Sequence, residues 1–80
     1  MPGQLEWALV SVVANIAEGA GRESRAERRR HYIIARGSAN EAGALVDIIG
    51  LYGALPSEAG QEIRSRLIRV VQMLNVMIGK

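Results

Sequence analysis

The chain of 80 residues contains no cysteine, no phenylalanine and only one histidine, His31. The absence of cysteine excludes disulfide bonds and thiolate chemistry. One histidine supplies too few ligands for a catalytic zinc site, which takes three protein side chains. A Ser–His arrangement would have to use His31 as its base, and the serines all have structural explanations as caps or packed small residues. We therefore expect a protein that is not an enzyme, with no catalytic residue, no metal, no cofactor and no small-molecule substrate. The three aromatic residues predict an aliphatic core.

Long apolar segments and targeting signals are also absent. The apolar run at 9–17 is too short to span a bilayer and is interrupted by Ser11 and Asn15. The beginning of the chain carries Glu6 in place of the basic segment of a signal peptide. We expect a cytoplasmic protein without membrane contact, folded as one domain over residues 1–80.

Helical patterns run through the rest of the chain. Apolar residues at helical spacing predict an all-α fold with three helices at about 4–18, 25–54 and 58–77. Gly19 and Gly21 are expected to reverse the chain with positive φ. Pro56 should end the second helix, and Ser57 should cap the third. Short connections predict an antiparallel up-down bundle.

The first helix is apolar almost all round, which is unusual for a helix with one side in water. A second copy of the chain would cover the extra face, so we predict a homo-oligomer. The side chains assigned to this interface are apolar and belong to the first helix: Leu5, Trp7, Leu9, Val12, Val13 and Ile16.

Five arginines surround the start of the second helix, where Ser24 and Glu27 have the spacing of a capping box. Against two glutamates, the arginines give residues 22–30 a local charge of +3. Cations oppose the macrodipole at a helix N-terminus, which hints at a role beyond local stability. The alternatives are a solvated, salt-bridged first turn and a nucleic-acid contact. The candidate nucleic-acid-binding residues are Arg22, Arg25, Arg28, Arg29 and Arg30.

A structural network is expected around Glu41, which lies in a stretch of small residues on the second helix. A carboxylate buried there would require a cation or several donors. We expect Glu18 or Glu41 to pair with Arg22, with Asn15 or Ser38 completing the network.

The segments SVVANIAEG at 11–19, Gly21-Arg22 and ARGSANE at 35–41 resemble the four helix bundle protein family. That family includes the intervening-sequence protein encoded within bacterial large-subunit ribosomal RNA genes and the accessory protein of diversity-generating retroelements. The resemblance covers about residues 4–79 and implies helices equivalent to the last three of a four-helix bundle, with the usual first helix lacking. It also implies a homo-oligomer, most often a pentamer, and its motif includes the positions of the predicted network.

Two classes of function remain after these exclusions. The first is an oligomer that binds RNA or DNA through the arginines by charge and shape, with little sequence specificity. The second is a structural or protein–protein interaction module with no nucleic-acid contact. The absence of a first helix predicts an exposed apolar groove, which self-association would cover.

Overall fold

The computed structural model of the chain describes residues 3–80, and within that range it contains three α-helices and no strand. Helix α1 spans Gln4–Ala20, α2 spans Arg25–Leu51 and α3 spans Ser57–Gly79. The predicted all-α class and the three helices are confirmed. None of the three helices has both the length and the apolarity needed to cross a membrane.

Helix α1 ends differently from the prediction. Gly19 lies inside the helix, and Gly21 follows it with a φ of −85°, so the expected positive φ at these glycines is wrong. The chain needs Gly19 for close packing instead. A Cβ atom at Gly19 would lie 2.6 Å from Cε1 of Tyr32 and 3.2 Å from Cβ of His31. The glycine therefore lets α1 and α2 approach each other at this point.

Helix α2 begins as expected, because the Ser24 hydroxyl accepts a hydrogen bond of 3.2 Å from the Glu27 amide. The return bond from the Glu27 carboxylate is absent within residues 3–80. The helix runs unbroken through Gly43 and ends at Leu51, three residues before the predicted end. Gly53 turns the chain there with a φ of +71°, a conformation that glycine adopts without steric cost.

Helix α3 begins one residue earlier than predicted. Pro56 occupies the N-cap position, and its carbonyl accepts a 3.0 Å hydrogen bond from the Gly60 amide. No side chain caps this helix, so the assignment of Ser57 as the cap is wrong. Proline is well suited to this boundary because it has no N–H to donate into a preceding helix and disfavours helical backbone in the residue before it.

Helix α2 lies between the other two helices and is antiparallel to both. Along α1, Ser11 contacts Ser38 and Asn15 contacts His31, so residue numbers rise on one helix as they fall on the other. Contacts from α2 to α3 follow the same rule. No Cα atom of Gln4–Ala20 comes within 8 Å of a Cα atom of Ser57–Gly79. The helices thus occupy three corners of an up-down bundle, with α1 and α3 on the diagonal.

The core is mostly aliphatic and thin, with Tyr32 as the aromatic residue of its buried clusters. Small side chains of α2 form its centre and let both neighbouring helices approach. The two buried clusters are Ala8, Val12, Ala39, Ala42 and Leu67, and Tyr32, Ala35, Leu74 and Ile78. The Cα atoms extend over 44 × 27 × 13 Å. Three helices cover few side chains on all sides, so many large apolar residues stay exposed.

Candidate nucleic-acid interface

The arginines at the start of α2 face the end of α3. Nε of Arg25 donates a hydrogen bond of 2.5 Å to the carbonyl of Lys80, and Nε of Arg29 donates one of 3.3 Å to the carbonyl of Ile78. Carbonyls in the last turn of a helix have no partner within it, and cations are favourable there. The arginines that oppose the dipole of α2 therefore compensate the negative end of α3.

Arg28 holds the turn between α1 and α2. One of its Nη atoms donates to the carbonyls of Arg22, at 3.1 Å, and Glu23, at 2.5 Å. Its side chain is half-buried, unlike those of the other cluster arginines. Arg28 is therefore a structural residue of the turn, with less of its guanidinium open to a ligand.

The last two arginines of the predicted set lie elsewhere. Arg22 forms an ion pair of 2.8 Å with Glu18, and about half of each side chain is exposed. Such a pair contributes little to stability. Arg30 is exposed, and its side chain makes no hydrogen bond or ion pair with another residue in 3–80. The structure thus brings Arg25, Arg28 and Arg29 together and leaves the other two apart.

The three converging arginines line a cavity of about 290 Å³ at the end of the bundle. Tyr32 and Ile78 form part of its apolar wall. The Tyr32 ring is buried, with 7% of its surface exposed, so it is not available to stack on a base. This site can attract anions by charge, and no exposed aromatic ring among its lining residues is available for base stacking.

A second polar cluster, which contains no arginine and no carboxylate, joins α1 to α2. The Ser11 and Ser38 hydroxyls are 2.7 Å apart, and the Asn15 amide nitrogen donates to the Ser11 carbonyl at 2.9 Å. The Asn15 amide oxygen lies 3.2 Å from Nδ1 of His31. Because that oxygen can only accept, Nδ1 carries the proton. Nε2 of His31 is buried and has no partner in the described residues.

The predicted network is therefore divided. Asn15 and Ser38 belong to the cluster between α1 and α2, while Glu18 and Arg22 form the separate exposed pair. Glu41 is exposed, so its expected burial is wrong. Its neighbours in sequence are small, but it lies on the outer side of α2, away from Ala42. Ser11 was missed as a member of this cluster, and the four-residue spacing of Ser11 and Asn15 was the available signal.

The outer face of α1 is apolar. Trp7, Val10 and Val13 have 58%, 54% and 68% of their surfaces exposed. Two of the predicted interface residues, Trp7 and Val13, lie on this face, and Val10 was missed. Val12 is buried within the chain's own core, so its assignment to an interface is wrong. The remaining predicted residues, which are half-buried and packed against that core, are Leu5, Leu9 and Ile16.

The fold defines a small all-α helical-bundle protein with an arginine-rich end and an apolar outer face on α1. Within residues 3–80, no group of three or more His, Cys, Asp or Glu side chains could hold a metal ion. A sequence model of the 23S rRNA-intervening sequence protein family matches residues 1–76. The chain belongs to that family, and the resemblance seen in its motifs is confirmed. No curated protein and no solved structure matches the chain.

Proposed function

We propose that this protein is a non-enzymatic homo-oligomer that binds nucleic acid through its arginines without sequence specificity. The convergence of Arg25, Arg28 and Arg29 on one end of the bundle supports this proposal. Lysine and arginine contacts to phosphates supply essentially all of non-specific binding. The burial of Tyr32 argues against base stacking as a major term.

The oligomer is proposed from the outer face of α1, whose occupant would be a second copy of the chain. Trp7, Val10 and Val13 are exposed on it. A shallow apolar cavity of about 390 Å³, lined by Leu9, Val10, Val13 and Ala14, lies on the same face. Contiguous apolar patches on soluble proteins mark interaction sites. The family resemblance suggests five copies, and the cytoplasmic location also stays a prediction.

Assembly is tested by light scattering after size exclusion and by the fluorescence of Trp7, the only tryptophan in the sequence. We expect a mass several times 8.7 kDa and a Trp7 emission that shifts to shorter wavelength as protein concentration rises. Val13→Glu should reduce the mass to that of one chain, because it places a charge on the covered face. A wild-type mass of one chain, with Trp7 emission independent of concentration, would contradict the oligomer.

Nucleic-acid binding is tested by fluorescence anisotropy with a labelled uridine 20-mer. Three phosphate contacts to a single strand predict a slope of log affinity against log salt of about −2. Raising the salt from about 50 to 200 mM should then weaken binding on the order of 20-fold. Absence of binding at the lower salt would refute this part of the proposal.

The alternative is a structural or protein–protein interaction module with no nucleic-acid contact. It is favoured by the bonds that Arg22, Arg25, Arg28 and Arg29 already make inside the chain. A stable oligomer that fails to bind the uridine 20-mer would select this alternative.

A further inference from the structure

The two sides of α2 that face its neighbours have different chemistry. Toward α1, the side-chain hydrogen bonds are made by Ser38 and His31, without an arginine. Toward α3, every side-chain hydrogen bond or ion pair in residues 3–80 uses an arginine. We call this second boundary the α2–α3 seam. Its cross-helix contacts are Arg25 to Lys80, Arg29 to Ile78, Arg36 to Asn75 and Arg64 to Asp47.

We propose that a single nucleic-acid strand lies along the α2–α3 seam and that Arg36 binds its phosphates together with Arg25 and Arg29. This inference rests on the proposed nucleic-acid binding and assigns its path. The sequence alone placed Arg36 outside the arginine cluster.

The spacing of these arginines on α2 supports one continuous path. A rise of about 1.5 Å per residue separates Arg25 from Arg29 by about 6 Å and Arg29 from Arg36 by about 10 Å. At about 100° per residue, all three lie within a sector of about 40° around the helix. They therefore form one row about 16 Å long, enough for several nucleotides.

The hydrogen bonds within the protein leave the phosphate-binding ends of these side chains open. Arg25 and Arg29 donate to carbonyls through Nε, and their Nη atoms make no hydrogen bond to any residue in 3–80. Arg36 uses one Nη atom, which donates to the Asn75 side chain at 2.8 Å. Each guanidinium has five N–H donors, so several remain for a phosphate. The internal bonds orient the side chains in advance, which lowers the entropy lost on binding.

Acidic side chains do not interrupt this row. Of the acidic residues of α2, Glu27 and Glu41 lie about 120–180° around the helix from the three arginines. Asp47 lies beyond Arg36 along the seam, where it is 3.4 Å from Arg64. A strand in this position also leaves the outer face of α1 free for a second copy.

Substitution of Arg36 provides the test, with two matched controls. Arg30→Gln removes the same charge from a site about 100° around the helix from Arg29. Asn75→Ala removes the partner of Arg36 and leaves its guanidinium in place. Affinity is measured by anisotropy with the labelled uridine 20-mer at about 0.1 M salt, where screening confines charge effects to about 10 Å. Circular dichroism checks that each variant is folded.

We expect Arg36→Gln to weaken binding roughly fivefold and to reduce the salt slope by about 0.7. Arg30→Gln should stay within about twofold of the wild type. Asn75→Ala, which removes only the bond that orients Arg36, should weaken binding less than Arg36→Gln does. A thymidine deoxy 20-mer should bind within about threefold of the uridine 20-mer, because the contacts are to phosphates.

If the wild type binds and Arg36→Gln and Arg30→Gln weaken binding equally, the proposed path along the α2–α3 seam is wrong, while the proposed function stands. A strong preference for one of the two oligomers would also overturn that path. If the wild type binds neither oligomer, the proposed function fails and the seam fails with it.

Discussion

Replacing Gly19 with alanine is expected to destabilise the fold, although alanine is the better helix former. The new Cβ atom would lie 2.6 Å from Cε1 and 3.0 Å from Cδ1 of Tyr32. Ordinary contacts of this kind are 3.4–4 Å, so the ring must move by about 1 Å. Such a shift disturbs the packing of Tyr32 against Ala35, Leu74 and Ile78.

The magnitude follows from two opposing effects. Overpacking of a well-filled core costs about 1–3 kcal/mol. A glycine in a helix costs up to about 1 kcal/mol relative to alanine, and the substitution removes that cost. When the full gain is subtracted, the net destabilisation is about 0–2 kcal/mol. In a domain of this size, each 1 kcal/mol lowers the Tm by about 4–8 °C.

The control is Gly37→Ala, which makes the same chemical change on the same pair of packed helices. No atom lies within 4 Å of a Cβ at Gly37, so this variant should be more stable than the wild type by up to about 1 kcal/mol. Unfolding is followed by circular dichroism at one fixed protein concentration, since assembly makes the Tm depend on concentration. A Gly19→Ala protein stabilised as much as Gly37→Ala would refute the close approach of α1 to Tyr32.

Two further substitutions test the contacts between helices. Ser38→Ala should lower the free energy of unfolding by about 1 kcal/mol, because it removes a partner of the Ser11 hydroxyl. The double variant Ser11→Ala, Ser38→Ala should lose less than the sum of the two single variants when stability is measured by urea unfolding. Additive losses would show that the two hydroxyls do not interact. Asp47→Asn should change the unfolding free energy by less than about 0.5 kcal/mol, because the ion pair with Arg64 is half-exposed at both ends. A loss above about 1 kcal/mol in the same assay would show that this pair is stronger than its exposure implies.

The boundaries of the helices were predictable where one residue type dominates the local backbone. Ser24 caps α2 as its spacing to Glu27 predicts, and Pro56 separates α2 from α3. Gly19 shows the limit of this reasoning. Its type indicated a special backbone position, but the sequence does not distinguish a left-handed turn from a close approach. The choice depends on Tyr32, a residue of the next helix.

Some features of the candidate sites could be predicted from the sequence, and others could not. The arginine cluster and the apolar excess of α1 are visible in the sequence because they are local in composition. The burial of Val12 and the exposure of Glu41 are not, because they depend on which side of each helix faces the others. The partners of Arg25, Arg29 and Arg36 lie 39 to 55 residues away along the chain.

The sequence by itself determined an all-α protein of three helices, without cysteine and with an aliphatic core. These properties follow from residue type and spacing, which act over a few residues. The tertiary structure alone decided that the arginines of α2 would meet the carbonyl end of α3. It also decided that a row of guanidiniums would line one seam of the bundle. The reason is that a guanidinium's role depends on the charge it faces, and only the antiparallel packing of α2 and α3 brings that charge near.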